Sequence, residues 1–187
     1  MNRIHRWLCR SAAWKRTLEQ RIPWVLGDAD LGQNVLEVGP GPGLTTDLLR
    51  SHVARIIALE IDPALARLLQ VRSRDRNVRV VRGDATLMPF QNAQFSGAVS
   101  FTMLHHVPSE ELQDKLLREV RRVLMPGGVF AGMDSLQSFS MRMIHVRDTL
   151  VLINPKTFCS RLQATGFHDV SLEIGARCFR FCARVPL

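Results

Sequence analysis

The stretch VLEVGPGPGLTT, residues 35–46, decides how the rest of the chain is interpreted. It begins as an apolar run, breaks into three glycines at alternate positions, Gly39, Gly41 and Gly43, and resumes as a helix-like segment. Glycine is needed where the backbone turns sharply and where a ligand approaches the main chain with no Cβ in between. The stretch therefore predicts a strand, a tight ligand-binding turn and a helix.

The spacing of these glycines excludes two common phosphate-binding turns. The dinucleotide fingerprint GxGxxG requires glycine at position 44, where this chain has Leu44. A Walker P-loop ends in Gly-Lys-Ser/Thr, and this stretch contains no lysine. The pattern here is GxGxG, and an acidic residue, Glu37, lies two positions before the first glycine.

Strand and helix patterns alternate on both sides of the turn. Strands are predicted at 34–38, 55–60, 77–82, 95–101 and 129–134, and helices at 44–52, 63–72, 109–124 and 155–165. Nearly continuous apolar strands separated by helices indicate a parallel sheet that is covered on both faces. The segments 168–174 and 178–185 flank Gly175 and predict an antiparallel pair. We therefore expect an α/β fold with a Rossmann-like, doubly wound, seven-stranded sheet, mostly parallel with an antiparallel C-terminal hairpin strand.

The composition is that of one globular domain. The chain has 187 residues, 46% of them hydrophobic, and a formal net charge of +8. No apolar run approaches the roughly 18–20 residues of a membrane span. The four cysteines form no CxxC pair and no Cys/His metal spacing, which favours reduced cysteines, a cytoplasmic location and no metal site.

The basic N-terminal segment predicts a helix that packs on the domain. Its apolar residues recur at near-helical spacing and are Ile4, Trp7, Leu8, Trp14 and Leu18. It lacks the apolar core of a secretory signal, and we favour the packed helix over a removable targeting segment. Pro23 and Gly27 are expected to begin the loop that follows.

Acidic residues mark the ends of the next two predicted strands. Glu60 ends the second strand, where a carboxylate can accept hydrogen bonds from a ribose diol. Asp84 follows the third strand and can accept a hydrogen bond from an adenine amino group, while the Ala85 amide faces a ring nitrogen. Because ligands of such sheets bind beyond the carboxyl ends of the strands, one adenosine could span the turn and both acids.

With these residues in place, the chain resembles the class I S-adenosylmethionine-dependent methyltransferases of the methyltransferase domain 11 type. The matching motifs are VLEVGPGPG, ALEID, RGDATLMPF, FSGAVSFTMLHHV and LREVRRVLMPGGVFAG, which together cover about residues 34–134. FCSRLQATGFHDV also resembles the last helix of the family and the strand after it. The resemblance implies a transferase that uses S-adenosylmethionine, releases S-adenosylhomocysteine and needs no metal.

The resemblance also assigns residues to the methionine part of the cofactor. The turn beneath it would consist of Gly39, Pro40, Gly41 and Gly43. Glu37 would lie near the ammonium group. Backbone around Phe101 and Thr102, after the fourth strand, would contact the amino-acid end.

The adenosine part would be held by the next two strand ends. Glu60 would bind the ribose hydroxyls, with Ile61 against the adenine. Asp84 and Ala85 would recognise the edge of the adenine ring. One departure from the family concerns the fourth strand, which usually opens with Phe-Asp and here opens with Phe95-Ser96-Gly97. Loss of that aspartate predicts a looser connection between the strand and its neighbouring loop.

On the acceptor side the sequence is less specific. His105 and His106 follow the fourth strand, where one of them could act as a general base, although a loop-holding role is the more common one. The segment 135–154 and the two N-terminal tryptophans could line an apolar pocket or form a core face. Arg142 and Arg147 could hold an acidic group or be solvated. We expect a single domain over 1–187, with an N-terminal helical lid (1–27), a cofactor-binding core (34–134) and a substrate-side segment with the closing hairpin (135–187).

Three functions compete, and a small-molecule methyl acceptor is the preferred one. The motifs VLEVGPGPGLTTDLL and ALEIDPALARLL also resemble the ribosomal RNA adenine dimethylases, which carry Asn-(Leu/Ile)-Pro-(Tyr/Phe) after the fourth strand. This chain has Phe-Thr-Met-Leu there, at 101–104, and contains no tyrosine. Within the arginine-rich run 71–82, residues 72–76 join a helix end to the start of the third strand, at the edge opposite the cofactor. The arginines there are expected to serve the helix dipole and solubility. A non-catalytic protein that binds S-adenosylmethionine is the third alternative.

Overall fold

The strands form one sheet. The computed structural model describes residues 7–73 and 77–187. Its strands are β1 (Asn34–Val38), β2 (Arg55–Glu60), β3 (Val78–Arg82), β4 (Phe95–Phe101), β5 (Leu124–Ser135), β6 (His168–Ile174) and β7 (Cys178–Arg184). They lie in the order β3-β2-β1-β4-β5-β7-β6. The first five are parallel, and β7 pairs antiparallel with both β5 and β6. The predicted fold class is confirmed.

The strand order reverses beside β1, and this reversal positions the functional site. β1 pairs with β2 on one side and with β4 on the other. The chain first adds β2 and β3 on one side of β1, and then crosses back to add β4 and β5 on the other side. A crevice opens at such a switch point, outside the carboxyl ends of the strands. The glycine turn directly follows β1 and therefore lies in that crevice.

The helices cover both faces of the sheet. They are α1 (Ala12–Leu26), α2 (Leu44–Leu49), α3 (Pro63–Arg72), α4 (Glu110–Val123), α5 (Phe139–Ile144) and α6 (Pro155–Ala164), with a short 3-10 helix at Leu104–His106. Helices α1, α2 and α3 contribute to one apolar core, and α4 and α6 to the other. Successive β1 residues alternate between the two cores, because Val35 faces the first and Leu36 the second. None of the helices in these two ranges is both long and apolar enough to span a membrane.

The helix before β1 ends later than the sequence predicts. α1 starts at Ala12, where the Ser11 hydroxyl accepts a hydrogen bond from the Trp14 amide. The expected break at Pro23 is wrong, because α1 continues to Leu26. A proline removes one intrahelical hydrogen bond. The burial of Val25, two residues later, offsets this loss and holds the last turn of α1 against the sheet. The predicted contribution of residues 1–6 lies outside the described residues.

The fourth strand is tied to its neighbouring loop despite the missing aspartate. The Ser96 hydroxyl accepts a hydrogen bond from the Asn34 amide at 2.9 Å and lies 2.9 Å from the Leu31 carbonyl oxygen, to which it can donate. The expectation of a loose connection here is therefore wrong. A hydroxyl both donates and accepts, so a shorter side chain makes the link between the strand and the loop.

The fifth strand also begins earlier than predicted. It starts at Leu124, which pairs with Phe95, and the register then shifts before Gly97 pairs with Val129. The segment MPGG, predicted to end the preceding helix, thus forms an irregularity within β5.

Helix α5 lies in a segment where the sequence predicts no helix. Its first residue, Phe139, is 81% exposed.

Candidate active site

A cavity of about 390 Å³ opens at the carboxyl ends of β1, β2, β3 and β4. Such a volume lies in the range of small-molecule pockets. Four segments that follow these strands line it, at 38–42, 59–62, 83–86 and 101–103. The rest of the lining comes from Cys9, Trp14, Leu18, Leu44, Thr45, Leu65, His106, Val107, Pro108, Leu112, Leu116, Asp148 and Thr149. The cavity therefore lies where the topology predicts a ligand.

The glycine turn is packed tightly on one side and open on the other. The Gly39 amide donates to the Leu59 carbonyl at 2.9 Å, which joins the turn to β2. Gly39 has a φ of +66°, and a Cβ there would lie 2.1 Å from Cγ of Met103. Gly41 has a φ of +54°, yet a Cβ there would meet no atom of residues 7–73 or 77–187 within 4 Å. Because Gly41 lines the cavity, its missing side chain leaves room for a ligand against the backbone.

Glu60 lies at the end of β2 in the wall of the cavity and is 5% exposed. Its carboxylate accepts hydrogen bonds from the Gly41 and Asp62 amides, both at 2.9 Å. Burial raises the pKa of Glu60, and the two amide hydrogen bonds oppose that rise. One side chain thus connects the glycine turn with the start of α3 and presents a carboxylate to the cavity.

The third strand end lies beside the second. The Gly83 amide donates to the Glu60 carbonyl at 3.1 Å, which holds the two strand ends together. Asp84 and Ala85 both line the cavity, and one Asp84 carboxylate oxygen accepts a hydrogen bond from the Thr86 amide at 2.8 Å. The acids predicted to hold the ribose and the adenine are therefore neighbours across one cavity.

Glu37 lies beneath the turn and is absent from the cavity lining. It is buried at 1% exposure, and its two carboxylate oxygens accept hydrogen bonds from the hydroxyls of Thr45 and Thr46 at the start of α2. Burial is the largest influence and raises the pKa of Glu37 to about 7. The carboxyl group ties β1 to the helix that the turn connects, and its contact with the cofactor's ammonium group stays a prediction.

Of the remaining predicted cofactor residues, Pro40, Ile61, Phe101 and Thr102 line the cavity, whereas Gly43 is absent from the lining and packs against Leu69 and Arg72. Ile61 lines the cavity with 64% of its surface exposed, which leaves the side chain open to a ligand there. Phe101 and Thr102 lie at the end of β4, where Thr102 has a φ of +50° and donates its amide to the Met133 carbonyl at 2.8 Å. Positive φ is uncommon for threonine, and such strain concentrates at functional sites.

Arg72 supports the glycine turn, although the sequence assigns it to solubility. One of its guanidinium nitrogens donates to the Gly43 carbonyl at 2.9 Å and lies 3.1 Å from a carboxylate oxygen of Asp47. The interpretation of the arginine run as remote from the cofactor is therefore wrong for this residue. Residues 74–76 of the run lie outside the described part of the chain. The contact between Arg72 and Gly43 depends on how α3 packs against the turn, which no sequence pattern indicates.

The two candidate catalytic histidines differ in their surroundings. His105 is 2% exposed, and its Nδ1 lies 2.6 Å from Oδ1 of Asp134, a fully buried residue at the end of β5. His106 is half-buried and lines the cavity. His145, beyond α5, packs against both imidazole rings with centroid distances of 5.0 and 5.1 Å. Burial lowers the pKa of His145. A chemical role for His105 or His106 stays a prediction.

The N-terminal helix and the segment after α5 complete the cavity. Trp14 and Leu18 of α1 line it, together with Asp148 and Thr149. Neither predicted role, pocket or core, holds for Trp7 and Phe139, which are 72% and 81% exposed and absent from the lining. Nothing in the sequence pattern distinguishes the tryptophan that lines the cavity from the one that does not.

The charged residues of the cavity wall are all acidic. They are Glu60, Asp62, Asp84 and Asp148, and within the described ranges no lysine or arginine lines the wall. S-adenosylmethionine carries a sulfonium and an ammonium group, so this lining fits its positive charges. The open face of Gly41 offers room at the backbone for the same molecule. The residues present therefore fit the cofactor that the sequence motifs imply.

Comparisons with known proteins agree with this geometry. The Methyltransferase domain family model matches residues 36–132, which is more than half of the chain. The ornithine lipid N-methyltransferase of Singulisphaera acidiphila is 36% identical over 132 residues, which is 66% of this chain and 66% of the relative. The probable ribosomal RNA small subunit methyltransferase A of Methanosarcina barkeri is 37% identical over 97 residues, which is 50% of this chain and 32% of the relative.

The fold is shared with solved structures of much lower sequence identity. A protein of Pyrococcus horikoshii superposes with a TM-score of 0.78 at 18% identity, over 95% of this chain and 93% of that chain. The matched region spans between about a third and two thirds of the length of the two relatives named above. The family match, the strand order and the residues around the cavity agree, and the chain belongs to the methyltransferase-domain family of S-adenosylmethionine-dependent methyltransferases.

Proposed function

We propose that the chain transfers a methyl group from S-adenosylmethionine to a small-molecule acceptor that has an apolar part. The charge of the cavity wall supports this proposal best. Its charged side chains are the four carboxylates named above, with no lysine or arginine from the described ranges. Nucleic acid binding depends on lysine and arginine that neutralise phosphates. A wall of this kind disfavours a phosphate backbone and favours a neutral or cationic acceptor.

The chain's own residues bind and orient the two reactants. When bound, the cofactor supplies an electrophilic methyl group on its sulfonium. Glu60 and Asp84 present carboxylates for the adenosine, and Gly41 lets the methionine part lie against the backbone. Alignment of nucleophile and electrophile accounts for much of the rate enhancement in such displacements. The rigid connections among the strand ends maintain that alignment.

The apolar part of the wall supports the choice of acceptor. Trp14, Leu18, Val107, Leu112 and Leu116 bring apolar side chains from α1, the 3-10 helix region and α4 to one cavity. The relative from Singulisphaera acidiphila is named for a lipid acceptor. We propose that an apolar portion of the acceptor packs on Trp14, Val107 and Leu112, because Leu18 and Leu116 are at most 1% exposed and lie behind them. In the same proposal, residues 1–27 serve as the lid, 34–134 as the cofactor-binding core and 135–187 as the acceptor side.

An RNA acceptor is the second candidate, because the net charge is +8 and the Methanosarcina barkeri relative is named for ribosomal RNA. The aligned region covers only 32% of the length of that relative. At the position of the adenine-binding Asn-Leu-Pro-Tyr type motif, this chain has Phe101-Thr102-Met103-Leu104. Neither Met103 nor Leu104 offers the aromatic face on which a flipped adenine would stack.

A labelled-methyl assay separates the two candidates. The protein is incubated with S-adenosylmethionine labelled in the methyl group and with three fractions of a cell extract, which contain lipid-soluble small molecules, polar small molecules and RNA. We expect label in a small-molecule fraction, mainly the lipid-soluble one. Label in RNA with both small-molecule fractions silent would overturn the proposal. The Gly41→Ala variant, with its cofactor site obstructed, is the negative control.

A further inference from the structure

We propose that His105, His106 and His145 together bind a divalent transition-metal ion at the wall of the cavity. One ring nitrogen from each histidine lies within 4.8 Å of the corresponding nitrogens of the other two. The cluster joins two adjacent residues of the 3-10 helix with a third that follows α5, 39 positions further along the chain. No metal-binding spacing in the sequence indicates such a group.

The separations suit a metal after a small adjustment. Three atoms that are all within 4.8 Å of one another share a point that lies at most about 2.8 Å from each. Zinc-bound histidine nitrogens lie about 2.0–2.1 Å from the metal. Each ring would therefore move by less than about 1 Å, an amount that side-chain rotation provides. The ring centroids of His105 and His106 are already 4.3 Å apart.

His105 is anchored in the way that metal-binding histidines usually are. Its Nδ1 lies 2.6 Å from Oδ1 of Asp134, and Asp134 also accepts a hydrogen bond from the Ser135 amide at 2.6 Å. The Asp134 carboxylate holds the proton on Nδ1, so the lone pair is on Nε2. The Nε2 atom of His105 is buried and has no hydrogen-bond partner in the part of the chain that the structure describes. A carboxylate that orients a histidine from its far side is the common outer contact of zinc sites.

His145 has a similar anchor from the main chain. Its Nδ1 lies 2.7 Å from the Met141 carbonyl oxygen. A carbonyl can only accept, so Nδ1 carries the proton and the lone pair is again on Nε2. Two of the three imidazoles are thus fixed in the tautomer that leaves Nε2 as the ligand atom.

The chemistry of the three groups selects the kind of ion. Imidazole ligands suit zinc, copper, iron and nickel, whereas magnesium and calcium require oxygen ligands. Three protein ligands leave a fourth position of a tetrahedral ion for water or another molecule. Because His106 lines the cavity, this position would lie on the acceptor side. Metal binding at this site does not depend on the identity of the acceptor.

Cobalt(II) serves as the probe, because its visible absorption reports coordination by nitrogen ligands in a tetrahedral site. Full-length protein without a histidine tag is treated with a chelator, dialysed and titrated with Co²⁺. We expect about one Co²⁺ per chain, with absorption bands that Zn²⁺ abolishes stoichiometrically. A bound amount below about 0.1 Co²⁺ per chain in the presence of excess metal would overturn the proposal.

Matched histidine variants locate the site. We expect His106→Gln and His145→Gln each to lose the absorption bands and at least 90% of the bound Co²⁺. His52→Gln and His168→Gln, which change exposed histidines outside the cluster, should bind as the unmodified protein does. Retention of the bands in both cluster variants would contradict the site. Far-UV circular dichroism checks that each variant is folded, and the half-buried His106 is the substitution least able to disturb the core.

Asp134→Asn tests the anchor of His105. An asparagine can keep the shape of the side chain while it loses the charge that holds the proton on Nδ1. Loss of such an outer contact typically costs 10- to 100-fold in metal affinity. We expect a loss of that size with about one Co²⁺ still bound at saturation. Unchanged affinity would contradict the assigned ligand atom of His105.

Discussion

The two sides of the cavity are built in opposite ways. The side proposed for the methyl donor consists of the segments after β1 to β4, at 38–42, 59–62, 83–86 and 101–103. Main-chain hydrogen bonds join the first and third of these segments to the second, and the fourth to β5. The acceptor side consists of side chains from α1, from 106–108 and from 148–149, which are far apart in the sequence. Backbone geometry therefore determines the donor side, and tertiary packing of side chains determines the acceptor side.

The buried Glu37 should give the largest effect. Its pKa is raised from 4.5 to about 7, so protonation is favoured in the folded protein. The corresponding stability is fully present below pH 4.5 and is lost as the pH rises through 7. Relative to Glu37→Gln, the unmodified protein should lose about 3 kcal/mol of unfolding free energy between pH 4.5 and 8. Urea denaturation across this pH range measures the difference, and a constant difference would contradict the raised pKa.

Gly41→Ala should remove most of the affinity for the cofactor. The added Cβ enters space that is open without ligand and that the cofactor is expected to occupy. We expect S-adenosylhomocysteine to bind roughly 100-fold more weakly, which is about 2.7 kcal/mol. Isothermal titration calorimetry measures the change. Gly166→Ala is the matched control, because Gly166 has a φ of +93° outside the cavity and a Cβ there would meet its nearest atom at 3.6 Å. Equal affinity in the two variants would show that the cofactor does not lie against Gly41.

Glu60→Ala should weaken cofactor binding by about 1–3 kcal/mol, the size expected when hydrogen bonds to a charged group are lost. The change also removes the acceptor of the Gly41 and Asp62 amides. Competition with adenosine separates the two causes, since adenosine lacks the methionine part. A loss that adenosine shares indicates contact with the ribose. A loss seen only with the complete cofactor would mean that Glu60 acts through the turn.

Arg72→Met should have a smaller effect on the donor side. The variant loses the hydrogen bond to the Gly43 carbonyl and the ion pair with Asp47 while it keeps an apolar side chain. Because the Arg72 side chain is 41% exposed, water screens part of the interaction, and we expect an affinity loss of about 1 kcal/mol. Arg67→Met on the same helix, which neither lines the cavity nor takes part in a described ion pair, should leave the affinity unchanged. Equal values for both variants would remove Arg72 from the support of the turn.

Trp14→Ala should affect the donor side least. We expect S-adenosylhomocysteine affinity to change less than about threefold, near 0.6 kcal/mol. Transfer of labelled methyl groups to the acceptor fraction should fall by more than that factor, because Trp14 belongs to the acceptor side. Trp7→Ala, at an exposed tryptophan outside the cavity, is the control. A cofactor affinity reduced as strongly as in Glu60→Ala would place Trp14 over the donor instead.

Most of the fold was predictable from the sequence because its signals are local. The strands that lead into the turns are short apolar runs, and Ser109 and Pro63 mark helix starts in ways that depend on neighbouring residues alone. The errors arose where a tertiary contact outweighed a local signal. Pro23 is a strong helix breaker in isolation, and the packing of Val25 outweighs it. The missing aspartate of β4 suggested a loose loop, and the Ser96 hydroxyl holds the loop instead.

The part of the cavity that the strand ends line was predictable for the same reason, and the part that α1 and 148–149 line was not. Gly39, Gly41, Glu60 and Asp84 occur at strand ends, and parallel topology places strand ends together. No comparable rule connects Trp14 with Thr149, or His106 with His145. Those two pairings depend on where α1 and the segment after β5 pack. In each pair the two residues are far apart in the sequence.

The sequence by itself determined the sheet, the position of the switch point and the strand-end residues that line the cavity. Hydrophobic periodicity, glycine spacing and strand ends are all properties of neighbouring residues. Only the tertiary structure decided three other features. Glu37 ties β1 to α2 beneath the cavity, Arg72 reaches back to the glycine turn, and three histidines meet beside Asp134. Each of these depends on side chains that approach across packed elements, where burial and hydrogen-bond geometry select the partner.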